Sequence, residues 1–177
     1  MSLSSTSRSA PQSFVMTPLE QQGAAAKAAS YVLASAGTER KNEALEAIAK
    51  VLTERKKEWL EANAQDLEAA RTAGMRPAML DRLTLTEGPL CPGPAMNRVP
   101  MSRPSRIPYK SSIRAPLGVI AIIYEARPNV TVDAAALCLK SGNTCILRGG
   151  KEAIRSNRKA AELMRAALAA AGPRPPV

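Results

Sequence analysis

The sequence predicts an α/β fold in which N-terminal helices precede a β-α-β-α unit. The first half repeats apolar residues at helical spacing, and the second half holds two short aliphatic runs separated by a helical segment. This alternation is typical of parallel sheets covered by helices. Of the 177 residues, 45% are hydrophobic and only 3% aromatic. Closely packed aliphatic side chains must therefore form the core.

The N-terminal helical part is expected over residues 16–87. It follows a Ser-rich stretch, residues 1–15, that we predict to be a flexible tail. Pro18 suits the first turn of a helix because proline lacks the N–H that a first turn leaves unpaired. Gly37 follows an Ala-rich run and ends this first helix.

Thr38 is the predicted N-cap of a second helix, since its hydroxyl can accept a hydrogen bond from the first turn. The apolar residues that follow have the spacing of a buried stripe: Leu45, Ile48, Leu52 and Trp59. Shorter helices are expected over residues 64–73 and from Pro77 onwards.

Residues 88–114 form an irregular segment rich in proline and arginine. Six of the fourteen prolines fall here, which excludes a long helix or a central strand. The segment has five cations and no carboxylate, within a chain of net charge +10: Arg98, Arg103, Arg106, Lys110 and Arg114. An alternative function is therefore a non-enzymatic module that binds nucleic acid through these cations, although no stacking aromatics support it. A shifted reading frame of GC-rich DNA would also produce this composition.

The second half of the chain predicts a β-α-β-α unit over residues 115–172. Leu117–Tyr124 is a continuous aliphatic run, typical of a parallel strand buried on both faces. A helix over 130–140 and a second strand over 144–147 complete the first crossover. A long helix then runs to Ala171, before a tail at 173–177. Its predicted buried face comprises Ile154, Ala161, Met164, Leu168 and Ala171.

Two loops follow the predicted strands, at residues 125–129 and 148–151. Ligands of parallel sheets bind at the carboxyl ends of strands, where helix N-termini favour anions. Arg148-Gly149-Gly150-Lys151 suits a phosphate, because glycines allow close backbone approach and the cations supply charge. It matches neither Gly-x-Gly-x-x-Gly nor the P-loop, so a plain strand-to-helix turn is the alternative.

The histidine and cysteine content limits the metal sites that the chain can contain. The chain has no histidine, and its three cysteines lack metal-ligand spacing, so we predict no metal site. Cys138 and Cys145 are predicted to be small core residues and Cys91 lies in the irregular segment. The sequence contains no secretory signal or membrane span. We expect a cytoplasmic protein with no membrane or nucleic-acid partner.

The segment Tyr124-Glu-Ala-Arg-Pro-Asn129, within 115–143, resembles the γ-glutamyl phosphate reductases, also called glutamate-5-semialdehyde dehydrogenases. Residues 146–153, 63–74 and 78–83 are similar to the same family in the same order. The resemblance implies the aldehyde dehydrogenase fold, with a Rossmann-like cofactor domain, a catalytic domain and an oligomerisation hairpin. It implies NADPH-dependent reduction of γ-glutamyl phosphate to glutamate-5-semialdehyde in proline biosynthesis, by an oxidoreductase that forms homo-oligomers.

The resemblance also implies roles for individual residues. Arg148, Gly149, Gly150 and Lys151 correspond to the loop near the adenosine ribose and its 2′-phosphate. Arg127 and Asn129 correspond to the loop beside the substrate, where Asn129 is a candidate oxyanion donor. The family's nucleophilic Cys lies beyond Val177, so we expect a truncated chain without the catalytic domain and without activity. A regulatory fragment that joins full-length subunits is a further alternative.

Overall fold

The computed structural model describes residues 16–85 and 115–171. The predicted tails 1–15 and 173–177 and the irregular segment 88–114 lie outside these ranges. The elements are α1 (Pro18–Ser35), α2 (Thr38–Glu54), α3 (Lys56–Thr72), α4 (Pro77–Leu83), β1 (Val119–Ile123), α5 (Pro128–Lys140), β2 (Thr144–Arg148), a 3₁₀ turn (Lys151–Ala153) and α6 (Ile154–Ala171).

The two strands pair in parallel, and α5 connects them. The register runs from Val119 opposite Thr144 to Ile123 opposite Arg148. Helix α1 packs on this sheet, where the Thr144 hydroxyl donates a hydrogen bond of 3.0 Å to the carbonyl of Ala26. The predicted α/β class, with helices followed by a β-α-β-α unit, is confirmed.

The helix starts differ partly from the sequence prediction. Helix α1 begins with a capping box, in which the amide of Glu20 donates to the Thr17 hydroxyl and the amide of Thr17 donates to the Glu20 carboxylate. Thr38 is wrong as the N-cap of α2. Gly37 takes the extended N-cap conformation and Thr38 is already helical, with no side-chain cap bond.

The predicted second helix breaks before Trp59. Arg55, with φ −103° and ψ 22°, separates α2 from α3, and its guanidinium donates a 2.6 Å hydrogen bond to Glu58 in the first turn of α3. The short helix predicted over 64–73 is the second half of α3. The break lets both α2 and α3 pack against α6.

The main core surrounds α6, which contacts α2, α3 and α5. Its buried members are Ile48, Leu52, Trp59, Leu85, Val132, Ala160, Leu163, Met164 and Ala167. The predicted buried face of α6 is partly wrong, since Ile154 and Leu168 are 40% and 41% exposed and Ala171 is exposed as well. The face that packs is rotated towards Leu163, because α6 is covered from three sides by other helices.

Strand β1 is shorter and less covered than the aliphatic run predicted. Leu117 is 84% exposed and precedes the strand, and Ile123 at its end is 78% exposed. Burial on both faces is therefore not observed for this strand within the part of the chain that the structure describes. Helices α1 and α5 contact the two-stranded sheet, and an aliphatic surface of β1 stays open.

A buried carboxylate joins the N-terminal helices to the β-α-β-α unit. Asp66, 1% exposed on α3, accepts hydrogen bonds from the amide and hydroxyl of Ser156 at 2.8 and 2.7 Å. It also accepts from the amide of Arg155 at 3.3 Å. Asp66 thereby satisfies unpaired N–H groups in the first turn of α6, where a negative charge is stabilised by the helix dipole.

Two more side chains on the same face of α3 extend this junction. The Trp59 indole donates a 3.1 Å hydrogen bond to the carbonyl of Ser156. The Asn63 amide donates to the Ser156 hydroxyl and to the carbonyl of Leu83, and its oxygen accepts from the amide of Leu85. The spacing of residues 59, 63 and 66 places all three side chains towards α6.

Replacing Asp66 by Ala should destabilise the chain more than a surface substitution. The change leaves the amides of Arg155 and Ser156 unpaired, at a cost of roughly 2–4 kcal/mol for a lost cap and buried donors. Urea unfolding followed by circular dichroism measures the difference. Asp81→Ala on the exposed surface of α4 is the control, and equal stabilities of the two variants would contradict the assignment.

Candidate functional site

The carboxyl ends of the two strands lie at one edge of the sheet. The amide of Tyr124 donates a 3.0 Å hydrogen bond to the carbonyl of Arg148, which continues the ladder one residue past β1. We call residues 124–127 the β1 loop and residues 148–151 the β2 loop. The β1 loop leads into α5, and the β2 loop leads into the 3₁₀ turn before α6.

The two loops touch through the glycines of the β2 loop. A Cβ on Gly149 would overlap the Asn157 amide nitrogen and would lie 3.0 Å from the Tyr124 ring. A Cβ on Gly150 would overlap the Glu152 carboxylate and would lie 3.6 Å from the amide of Ala126. Gly149 therefore needs glycine because of close approach, whereas at Gly150 the flexible Glu152 side chain could move aside; the predicted Gly-Gly pair lies against the β1 loop.

The side chains predicted to bind cofactor and substrate are exposed around this contact. Arg148 ends β2 and Lys151 opens the 3₁₀ turn, and both are exposed. Arg127 is the N-cap residue of α5, and Asn129 is in its first turn; both are exposed, while Pro128 between them is buried. The amide of Arg127 donates to the carbonyl of Glu125 at 2.8 Å, which makes the β1 loop a tight turn.

Two amides in the first turn of α6 are engaged within the chain. Asp66 accepts hydrogen bonds from the amides of Arg155 and Ser156, so these two are not available to a ligand. A phosphate held by the β2 loop would depend on the positive charges of Arg148 and Lys151.

Two buried polar atoms beneath the glycines have no hydrogen-bond partner among the described residues. They are the amide nitrogen of Asn157 and one carboxylate oxygen of Glu152. Unpaired buried donors and acceptors indicate a place for water or a ligand. Sequence reasoning missed both residues, although an Asn on the apolar face of α6 was a usable signal.

A chain of hydrogen bonds runs from the β1 loop to α6. The Thr131 hydroxyl donates to the Asn157 side-chain oxygen at 2.9 Å, and the Tyr124 and Thr131 hydroxyls are 2.5 Å apart. Since the Thr131 hydrogen points to Asn157, the Tyr124 hydroxyl is the donor to Thr131. Burial raises the pKa of Tyr124, against an opposing effect of the Thr131 hydrogen bond, so the phenol keeps its proton near neutral pH.

The described thiols are not activated. Cys138 on α5 is buried and Cys145 on β2 is half-buried beside it. Burial raises the pKa of both, and that of Cys145 reaches about 11. A nucleophilic cysteine needs the opposite shift. Cys91 and the cations from Arg98 to Arg114 lie outside the described residues.

An open cavity of about 440 Å³ lies on the other side of the 3₁₀ turn. Its walls come from the end of α3, the α3–α4 turn and residues 151, 152 and 155. Cations and carboxylates both line it, with Arg76, Lys151 and Arg155 against Asp66 and Glu152. Its lining includes Lys151 of the β2 loop and Glu152, so it adjoins the contact between the loops.

Within residues 16–85 and 115–171, no group of three or more Cys, Asp or Glu side chains is placed to hold a metal ion. No helix in these ranges has both the length and the apolar character that crossing a bilayer requires.

The parallel β-α-β unit with its covering helices places the chain in the α/β class of proteins. Ligands of open parallel sheets commonly bind at the carboxyl ends of the strands, which is the edge where Gly149, Gly150 and the exposed cations lie. No protein-family model matches the chain.

The particular relatives are γ-glutamyl phosphate reductases. The protein of that name from Roseiflexus castenholzii is 48% identical in an alignment 171 positions long, and the alignment covers 89% of this chain and 40% of the relative. The crystal structure of the Thermotoga maritima enzyme matches 87% of the chain with a TM-score of 0.74 and 37% identity. That of the Saccharomyces cerevisiae enzyme matches 88% with a TM-score of 0.74 and 27% identity.

The chain is therefore homologous to part of γ-glutamyl phosphate reductase. It spans about 40% of the length of the curated relative and of the Thermotoga structure, and 43% of the yeast structure. The resemblance predicted from the sequence is confirmed.

Gly149→Ala should destabilise the chain, whereas Gly23→Ala should stabilise it. A methyl group at 149 overlaps Asn157 and crowds Tyr124, at a cost of about 1–3 kcal/mol for overpacking. Gly23 lies within α1 with nothing within 4 Å of an added Cβ, so Ala should gain roughly 0.5–1 kcal/mol of helix propensity. Thermal unfolding tests both, and stabilisation by Gly149→Ala would refute the close contact.

Alkylation of the described thiols should be slow and should accelerate only at high pH. A raised pKa leaves little thiolate at pH 8, about one part in a thousand for a pKa near 11, and this fraction grows tenfold per pH step until the pKa is reached. Iodoacetamide labelling of a Cys91→Ser variant, read by mass spectrometry, isolates Cys138 and Cys145. Rapid labelling at pH 7 would contradict their unactivated state.

Proposed function

We propose that this chain supplies the cofactor-binding part of an NADPH-dependent oxidoreductase that converts γ-glutamyl phosphate to glutamate-5-semialdehyde and phosphate. Residues 16–87 and 115–172 would together form the cofactor-binding domain. The observation that carries the proposal is the contact of the β2 loop with the β1 loop at the carboxyl edge of the sheet. The 48% identity to a γ-glutamyl phosphate reductase supports the substrate class.

The residues at this edge fit an adenosine ribose with a 2′-phosphate. Arg148 and Lys151 are exposed cations on either side of Gly149 and Gly150, which pack against Asn157 and Glu152. The orphaned Asn157 donor and Glu152 acceptor lie directly beneath that loop. Guanidinium and ammonium groups favour a phosphate dianion, which distinguishes NADPH from NADH.

The β1 loop would serve the substrate. Arg127 is an exposed cation suited to the phosphate or carboxylate of an acidic substrate. The Asn129 side chain at the start of α5 would donate a hydrogen bond to the acyl oxygen as negative charge develops on it. The bound cofactor would supply the hydride, and this chain's residues would orient the reacting groups and balance their charge.

We further propose that this chain alone does not complete the reaction. Reduction of an acyl phosphate through a covalent route needs an activated thiol, and both described thiols have a raised pKa. Their free state also supports a reducing, cytoplasmic setting.

The purified chain is expected to bind NADPH through the β2 loop without catalysis. Arg148→Gln combined with Lys151→Gln should weaken NADPH binding by at least about tenfold, since charged hydrogen bonds contribute about 1.5–3 kcal/mol each. NADH binding should change less because that cofactor lacks the 2′-phosphate. Fluorescence titration measures both affinities.

The control variant carries Lys50→Gln and Arg71→Gln. It also loses two exposed cations, so its net charge equals that of the variant with Arg148→Gln and Lys151→Gln. Equal NADPH affinity of the two double variants would contradict the site. Turnover is assayed in reverse, as phosphate-dependent reduction of NADP⁺ by glutamate-5-semialdehyde. Measurable turnover by the chain alone would contradict its proposed inactivity.

A further inference from the structure

We propose that Thr131 and Asn157 are positioning residues that, with Tyr124, lock the β2 loop to the β1 loop. The lock would fix the cofactor-contacting loop relative to Arg127 and Asn129. The role of this lock in positioning the cofactor rests on the proposed function. Its hydrogen bonds, in contrast, are present in the chain without cofactor.

The three side chains connect three separate elements. Tyr124 opens the β1 loop, Thr131 lies in α5 two residues after Asn129, and Asn157 lies in α6 beneath Gly149. The bonds of 2.5 and 2.9 Å form a chain with one possible direction, from the Tyr124 hydroxyl through the Thr131 hydroxyl to the Asn157 oxygen. Each hydroxyl therefore has one preferred rotamer.

The last group in this chain determines the place of the β2 loop. Holding the Asn157 oxygen towards Thr131 turns its amide nitrogen to Gly149, where an added Cβ would overlap it. That nitrogen is buried and has no partner among the described residues. The Asn157 amide is thus fixed on one side by Thr131 and packs on the other against the β2 loop.

Simple core packing does not account for this arrangement. Thr131 is 2% exposed and Asn157 is 9% exposed, and apolar residues of similar shape would avoid the desolvation of their polar groups. The polar chain ends beneath the β2 loop, where the Asn157 amide nitrogen lies against Gly149. Its position indicates that it serves the geometry of the two loops.

Hydrogen exchange of the full chain, without cofactor, tests the lock. Thr131→Val removes the central hydroxyl at constant shape, Thr131→Ser keeps it, and Tyr124→Phe removes one end at a half-buried site. We expect Thr131→Val to raise exchange at least about tenfold for peptides 124–130 and 148–153, which corresponds to the loss of about one hydrogen bond. Thr131→Ser should restore slow exchange, and Tyr124→Phe should accelerate the same peptides.

Thr53→Val is the matched control, because Thr53 is exposed and its hydroxyl donates only to the Ala49 carbonyl in its own helix. Unchanged exchange at 148–153 in both Thr131→Val and Tyr124→Phe would overturn the lock. A rise spread equally over α2 and α3 would overturn it too, since that result indicates general destabilisation.

NADPH titration of the same variants separates the lock from the proposed function. If the lock positions the cofactor loop, the affinity should fall about tenfold in Thr131→Val and recover in Thr131→Ser. Local exchange effects with no NADPH binding by any variant, including the wild type, would contradict the proposed function and leave the lock established. Normal affinity in Thr131→Val despite faster loop exchange would overturn the positioning role.

Discussion

The structure depends most on the buried carboxylate of Asp66. It lies on α3, yet it accepts hydrogen bonds from the amides that begin α6, ninety residues further along the chain. Because Trp59 and Asn63 bond to the same Ser156, one face of α3 fixes the start of α6. The start of α6 in turn sets where the β2 loop ends. A contact among helices thus determines the geometry of the sheet edge.

The same interaction bears on how the proposed cofactor site would work. In many nucleotide-binding domains the helix after the strand offers its own amides to phosphate. Here Asp66 accepts from the amides of Arg155 and Ser156, so the proposed site depends on the exposed cations of the β2 loop. The Gly149-Gly150 pair accordingly lies against Tyr124 and Ala126, with Arg148 and Lys151 on either side.

Local patterns in the sequence were sufficient to predict the helices and strands. They did not predict the breaks and contacts that join these elements. Aliphatic runs and glycines located both strands, and the order of helices and strands was correct, as was the family resemblance. The break at Arg55 was missed because residues 45–59 keep apolar spacing across it, and packing of two helices on α6 decides the break. The partners of Asp66 and Asn157 are distant in sequence, and no local pattern reveals such pairs. Burial of β1 on both faces was overestimated because that inference assumes a complete sheet.

A titration of the ¹⁵N-labelled chain with NADPH, followed by amide chemical shifts, tests the central claim most directly. If the α3–α6 junction holds the two loops as one cofactor-facing edge, amides of residues 124–129 and 148–152 should shift together with a single dissociation constant. The amides of α2, which contributes residues to neither loop, should stay unchanged. Shifts confined to another surface, or two loops responding with different constants, would contradict the account.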